Sequence, residues 1–127
     1  LKGCRFIMLN NLEKGEWGRM EPEQVDWLVE RLAGSAGRKV YVFVHVPVWY
    51  PNANHVKKKW RIFWLTKIHP LLRSHNVEAV FAGHFHRFGP TLRADGITYY
   101  ISGGGGGRLS RPVAMTITEP SCARPAA

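Results

Sequence analysis

Two stretches constrain the fold more than anything else in the chain. Residues 40–48 and 77–82 are apolar at almost every position, rich in Val with Phe, Tyr and Ala between. A strand built from either has no polar face, so each is expected in the middle of a sheet, covered on both sides. Pro47 has no N–H to offer a ladder, so pairing of the first strand is expected to stop near His45. The second strand runs directly into Gly83-His84-Phe85-His86.

The segments around these two fit an α/β chain. Residues 5–9 read as a short strand ended by Asn10 and Asn11, and 13–20 as a polar loop. Pro22 opens a helix at a position where its missing N–H costs nothing, with Glu21 and Glu23 at the positive end of the dipole. Val25, Leu28, Val29 and Leu32 form one apolar stripe, Trp27 packs beside it, and Gly34 and Gly37 end the helix. Residues 57–74 are helical in pattern, but Pro70 should kink or split them near 67–69. Ala94-Asp95-Gly96 is a hairpin turn leading into a strand at 97–101. A glycine run at 103–107 and an alternating strand at 113–118 follow, and residues 120–127 read as a disordered tail. The order is β-α-β-α-β and then three more strands, which implies a layered α/β fold with a mixed sheet. No apolar run approaches the length of a membrane-spanning helix.

Charge and composition narrow the chemistry. Lys and Arg total 18 against 9 for Asp and Glu, a net charge of +9 that attracts anions: phosphate esters, nucleic acid or acidic membrane surfaces. Lys57-Lys58-Lys59-Trp60-Arg61 has two readings: a phosphate-backbone contact with a stacking Trp, or a solvated helix face with Trp60 turned to the core. Cys4 and Cys122 form no CxxC pair, which argues against a cysteine zinc site and leaves a disulfide open. There is no Gly-x-Ser-x-Gly, and the glycine run lacks the Lys-Ser/Thr of a nucleotide-binding P-loop. Asp26 and Asp95 are the only aspartates, so a site needing several Asp ligands has almost none to draw on.

Histidine is what remains. His45 ends one apolar strand and His84 and His86 follow the other, and ligands of α/β sheets gather at such carboxyl edges. Histidines two apart on an extended chain lie roughly 6–7 Å from one another on the same side, a spacing that suits two adjacent ions better than one. His55, His69 and His75 fall in loop or helix surroundings and read as surface residues.

At these residues the chain resembles the calcineurin-like metallophosphoesterases, the group that includes purple acid phosphatases. The likeness lies in Val42-Phe43-Val44-His45-Val46-Pro47, then in the run from Pro70 to Gly83-His84-Phe85-His86. It extends to Glu23-Gln24-Val25-Asp26-Trp27-Leu28 upstream and to the segment from Asp95 to Gly104 downstream. The resemblance implies half of an α/β/β/α sandwich and hydrolysis of phosphate mono- or diesters at a dinuclear centre of Mn, Fe or Zn. It implies that His45 and His84 hold one ion and His86 the other.

The Asp-x-His, Gly-Asp and Gly-Asn-His motifs of that family are absent from the chain. Residues 1–119 are therefore expected to be the carboxyl-terminal portion of such a domain. Weak metal binding and little catalysis are expected of this portion alone, with the missing amino-terminal half as its partner. The alternative is a non-catalytic basic module that binds nucleic acid or another anion through Lys57 to Arg61, and neither reading calls for a membrane.

Overall fold

The structure is a computed structural model and describes residues 3–108, apart from 52 and 90. The expected strand at 113–118, Cys122 and the 120–127 tail lie outside the described residues. Among the described residues the chain forms a mixed α/β fold around a five-stranded sheet with the order β1-β4-β5-β7-β6. These strands are β1 (Cys4–Met8), β4 (Lys39–Val44), β5 (Val77–Ala82), β6 (Leu92–Ala94) and β7 (Ile97–Ile101). The pairs β1–β4, β4–β5 and β5–β7 are parallel, and β6 runs antiparallel to β7. None of the described helices is long and apolar enough to cross a membrane.

Helix α1 (Pro22–Ala33) connects β1 to β4. Its stripe buries Leu28 and Leu32 in the same core cluster as Val40, Val42 and Val44 of β4. Trp27 does not pack as expected: it is 40 % exposed and carries the Arg31 guanidinium at 5.9 Å from its ring centre. The helical stretch before β5 divides into α2 (Lys58–Phe63), a π-helical turn (Trp64–Ile68) and α3 (His69–Ser74). Pro70 explains the division, because it lacks the N–H of an α-helical turn and its ring crowds the carbonyl one turn back. The backbone takes a wider turn there, and the His69 N–H reaches Trp64 O. Trp64, Ile68 and Leu72 are still delivered to the core.

Strands β4 and β5 are covered on one face only among the described residues, not on two. Val42, Val44, Val80 and Ala82 lie under the helices. The opposite face carries Phe6, Tyr41, Phe43, Phe81 and Tyr100, with Phe6 49 % exposed. These rings cover one another across the strands. Phe43 stacks on Phe81 at 5.1 Å and Phe81 on Tyr100 at 5.0 Å.

The polar stretch at 13–20 is not all loop. Leu12–Glu13 (β2) and Glu16–Trp17 (β3) pair as a small antiparallel hairpin. Lys14 and Gly15 both have positive φ, 49° and 72°, as a tight two-residue turn requires. This hairpin carries Trp17 to the carboxyl edge of the main sheet.

Candidate metal centre

The carboxyl ends of β4 and β5 lie side by side, and their loops build the site. Asn11, just after β1, is fully buried and holds the end of β4 with three hydrogen bonds. Its Oδ1 accepts the N–H groups of His45 (3.2 Å) and Val46 (2.9 Å), and its Nδ2 donates to Val46 O (2.7 Å). Beyond β5 the chain does not stay extended. His84 sits at φ +66°, a conformation that a non-glycine residue holds only when its surroundings over-determine it. The His84–His86 pair is therefore not the same-side extended arrangement expected from its spacing.

The bend turns His84 toward His45. Nδ1 of His84 lies 3.3 Å from Nε2 of His45, and Nε2 of His84 lies 2.7 Å from Nε2 of His55. His55, expected on the surface, is indeed exposed, yet it is part of the cluster. The turn that carries it is seated by buried Ala53 and Val56, and Arg61 donates to the carbonyls of Val48 (3.2 Å) and Tyr50 (3.0 Å) beside it. Trp17 lies over the imidazoles, 4.5 Å from the His84 ring and 5.6 Å from His55. Burial first, and then the charges of His55, His45 and His86, push the His84 pKa down to about 4. His84 is a neutral base at pH 7, as a metal donor must be.

His86 stands apart from this pair but lines the same cleft of about 520 Å³, together with Trp17, His45, His84 and the glycine run. Close approach is what the glycines supply. A Cβ on Gly107 would stand 2.8 Å from the His86 ring, and one on Gly103 would stand 1.6 Å from Phe85 O. The Gly103 N–H donates to Arg87 O (2.9 Å), and Phe88 bridges to Ser102, so this loop is zipped to the segment that holds His84 and His86.

The donor chemistry fits an ion between His45 and His84. Two imidazole nitrogens each about 2.0–2.1 Å from zinc subtend close to a tetrahedral angle at the observed 3.3 Å separation. Among the described residues, no group of three or more His, Cys, Asp or Glu side chains converges on one point. Neither aspartate helps. Asp26 lines a different cleft between α1 and α2, and Asp95 accepts from His69 Nε2 at 2.9 Å. His69 is itself no bystander, because its Nδ1 meets the Tyr99 hydroxyl at 2.6 Å. His75 contacts Leu71 O and Ser74 at the end of α3.

The basic run is largely engaged. Lys57 and Lys59 both pair with Glu16, at 3.2 and 3.3 Å, and the Trp60 indole N–H donates to the same carboxylate at 2.7 Å. Trp60 packs against the core and does not stand free for stacking on a base.

His55 and Asn11 were not singled out by sequence reasoning. The only signal for Asn11 was its place directly after a strand, and for His55 its place shortly after Pro47. In comparisons with known proteins, the chain matches no family model and no curated protein.

Proposed function

We propose that the chain is part of a metal-dependent phosphoesterase of the calcineurin-like type, acting on phosphate mono- or diesters. The observation that carries this reading is the 3.3 Å approach of His45 Nε2 and His84 Nδ1 at the carboxyl ends of adjacent parallel strands. His45 and His84 hold one ion on this reading, and His86 offers a donor for a second; Mn, Fe and Zn all suit imidazole. Such ions neutralise charge on the phosphoryl oxygens and acidify water for attack on phosphorus. The protein's own groups shape the cleft. Trp17 shields the imidazoles from water on one side, and the glycine run lets backbone rather than side chain wall the other. The net charge of +9 draws an anionic ester toward this edge.

Among the described residues no group of three or more His, Cys, Asp or Glu side chains could hold the ion, so on this reading the remaining donors come from outside the described residues. The sandwich layering of the family follows the same logic, since the aromatic face that the described residues leave open suits a second layer. Calorimetric titration with Zn or Mn, paired with aryl-phosphate hydrolysis, tests the reading. Weak binding that His45→Ala and His84→Ala abolish is expected, with little or no turnover by the chain alone. Affinity unchanged in both variants overturns it.

A further inference from the structure

His84 has an imidazole neighbour at each of its two nitrogens, His45 at Nδ1 (3.3 Å) and His55 at Nε2 (2.7 Å). A neutral imidazole carries a single N–H, so the His84 proton serves one contact or the other. The shorter contact lies inside the usual hydrogen-bond range and the longer one just outside it. A proton on Nε2 leaves the Nδ1 lone pair facing His45. A proton on Nδ1 would block the position between the two rings where an ion fits.

We propose that His55 is a positioning residue: it accepts the Nε2–H of His84 and so holds that ring in the tautomer whose Nδ1 is free to bind a metal ion. A second imidazole takes the place that a carboxylate or backbone carbonyl often takes behind a metal-binding histidine. The ring of His55 is well held for this task. Trp17 meets it edge to face at 86°, and Phe85 lies 5.8 Å away on another side. His55 itself is exposed, so its Nδ1 can carry its own proton into water and leave Nε2 as the acceptor.

The proposal rests on the reading of His84 Nδ1 as a metal donor, and two measurements separate them. Long-range ¹H–¹⁵N imidazole spectra of the metal-free chain report the His84 tautomer directly. The Nε2–H form is expected to dominate in the wild type, to become mixed in His55→Ala, and to return in His55→Gln, whose amide oxygen also accepts. Titration with Zn²⁺ alone is expected to show affinity reduced by about tenfold to a hundredfold in His55→Ala and largely restored in His55→Gln. An unchanged tautomer in His55→Ala overturns the proposal, as does an equal loss of affinity in the Ala and Gln variants. Zn²⁺ affinity that ignores His45→Ala overturns the metal reading instead and leaves the tautomer result standing.

Discussion

Asn11 Oδ1 accepts the backbone N–H of His45 across a sequence separation of 34 residues, and the same side chain caps both polar backbone groups of Val46. One buried amide thus ties the end of β1 to the turn that aims a metal-donor candidate. Asn11→Ala takes the acceptor from the N–H groups of His45 and buried Val46, while Val46 O keeps the Val48 N–H, and the loss costs on the order of 1–3 kcal/mol. Asn11→Asp keeps the acceptor, loses the donor to Val46 O, and should fall between. Urea unfolding measures both. A loss below about 0.5 kcal/mol for the Ala variant, the range of an indifferent surface change, contradicts this account of His45.

Glu16 joins the β2–β3 hairpin to α2. The Trp60 indole N–H, then Lys57 and Lys59, hold its carboxyl down to about 2 from the ordinary 4.5. A depressed carboxyl contributes stability that is fully present above pH 4.5 and is lost as pH falls toward 2. The melting-temperature difference between wild type and Glu16→Gln should therefore be largest at neutral pH and shrink through that window. It should also shrink with added salt, because the carboxylate and both lysines meet solvent. A difference that stays constant from pH 6 to pH 2 contradicts the assignment.

The frame of the fold was legible because apolar runs, Pro70 and the Ala94-Asp95-Gly96 turn act locally. The two apolar strands lie side by side and both end at one edge, so His45 and His84 could be placed near each other from sequence. The covering of the sheet was not legible. Tyr41, Phe43 and Phe81 read the same whether a layer or other rings shield them, and here the rings stack on each other. His55 was missed because its approach to His84 depends on a turn anchored by Arg61 from the next helix, a contact no spacing records. His69 was missed for a similar reason, since its partners Asp95 and Tyr99 arrive from the far end of the chain.

The glycine run is a packing requirement at two positions. Gly103→Ala places a Cβ 1.6 Å from Phe85 O, against backbone that has nowhere to go, whereas Gly107→Ala presses only on the His86 ring at 2.8 Å. Gly103→Ala should lower stability by roughly 1–3 kcal/mol, the usual scale of overpacking, or more. Gly107→Ala should cost less stability but shift the His86 imidazole resonances while those of His45 stay in place. Equal melting temperatures for Gly103→Ala and wild type rule out the close approach.

His69 connects α3 to the β6–β7 turn through two different bonds, and they can be separated. Its Nε2 contact is the main reason that the Asp95 carboxyl lies below its ordinary 3.8, with burial opposing and Arg73 assisting. Its Nδ1 contact is the hydrogen bond of the Tyr99 hydroxyl, whose side chain is 2 % exposed and whose ionisation burial suppresses. His69→Ala should raise the Asp95 carboxyl toward 3.8 in a ¹³C titration. Stability that Asp95 contributes is lost as pH falls below that value, so the variant should show a flatter decline there than the wild type. At neutral pH the variant also takes from the Tyr99 hydroxyl its 2.6 Å partner and leaves the Trp64 indole beside it, at about 1–3 kcal/mol. Adding Tyr99→Phe removes that hydroxyl, so the double variant should be no less stable than His69→Ala alone. If Tyr99→Phe instead costs the same in both backgrounds, the hydroxyl is satisfied elsewhere and His69 is not its partner.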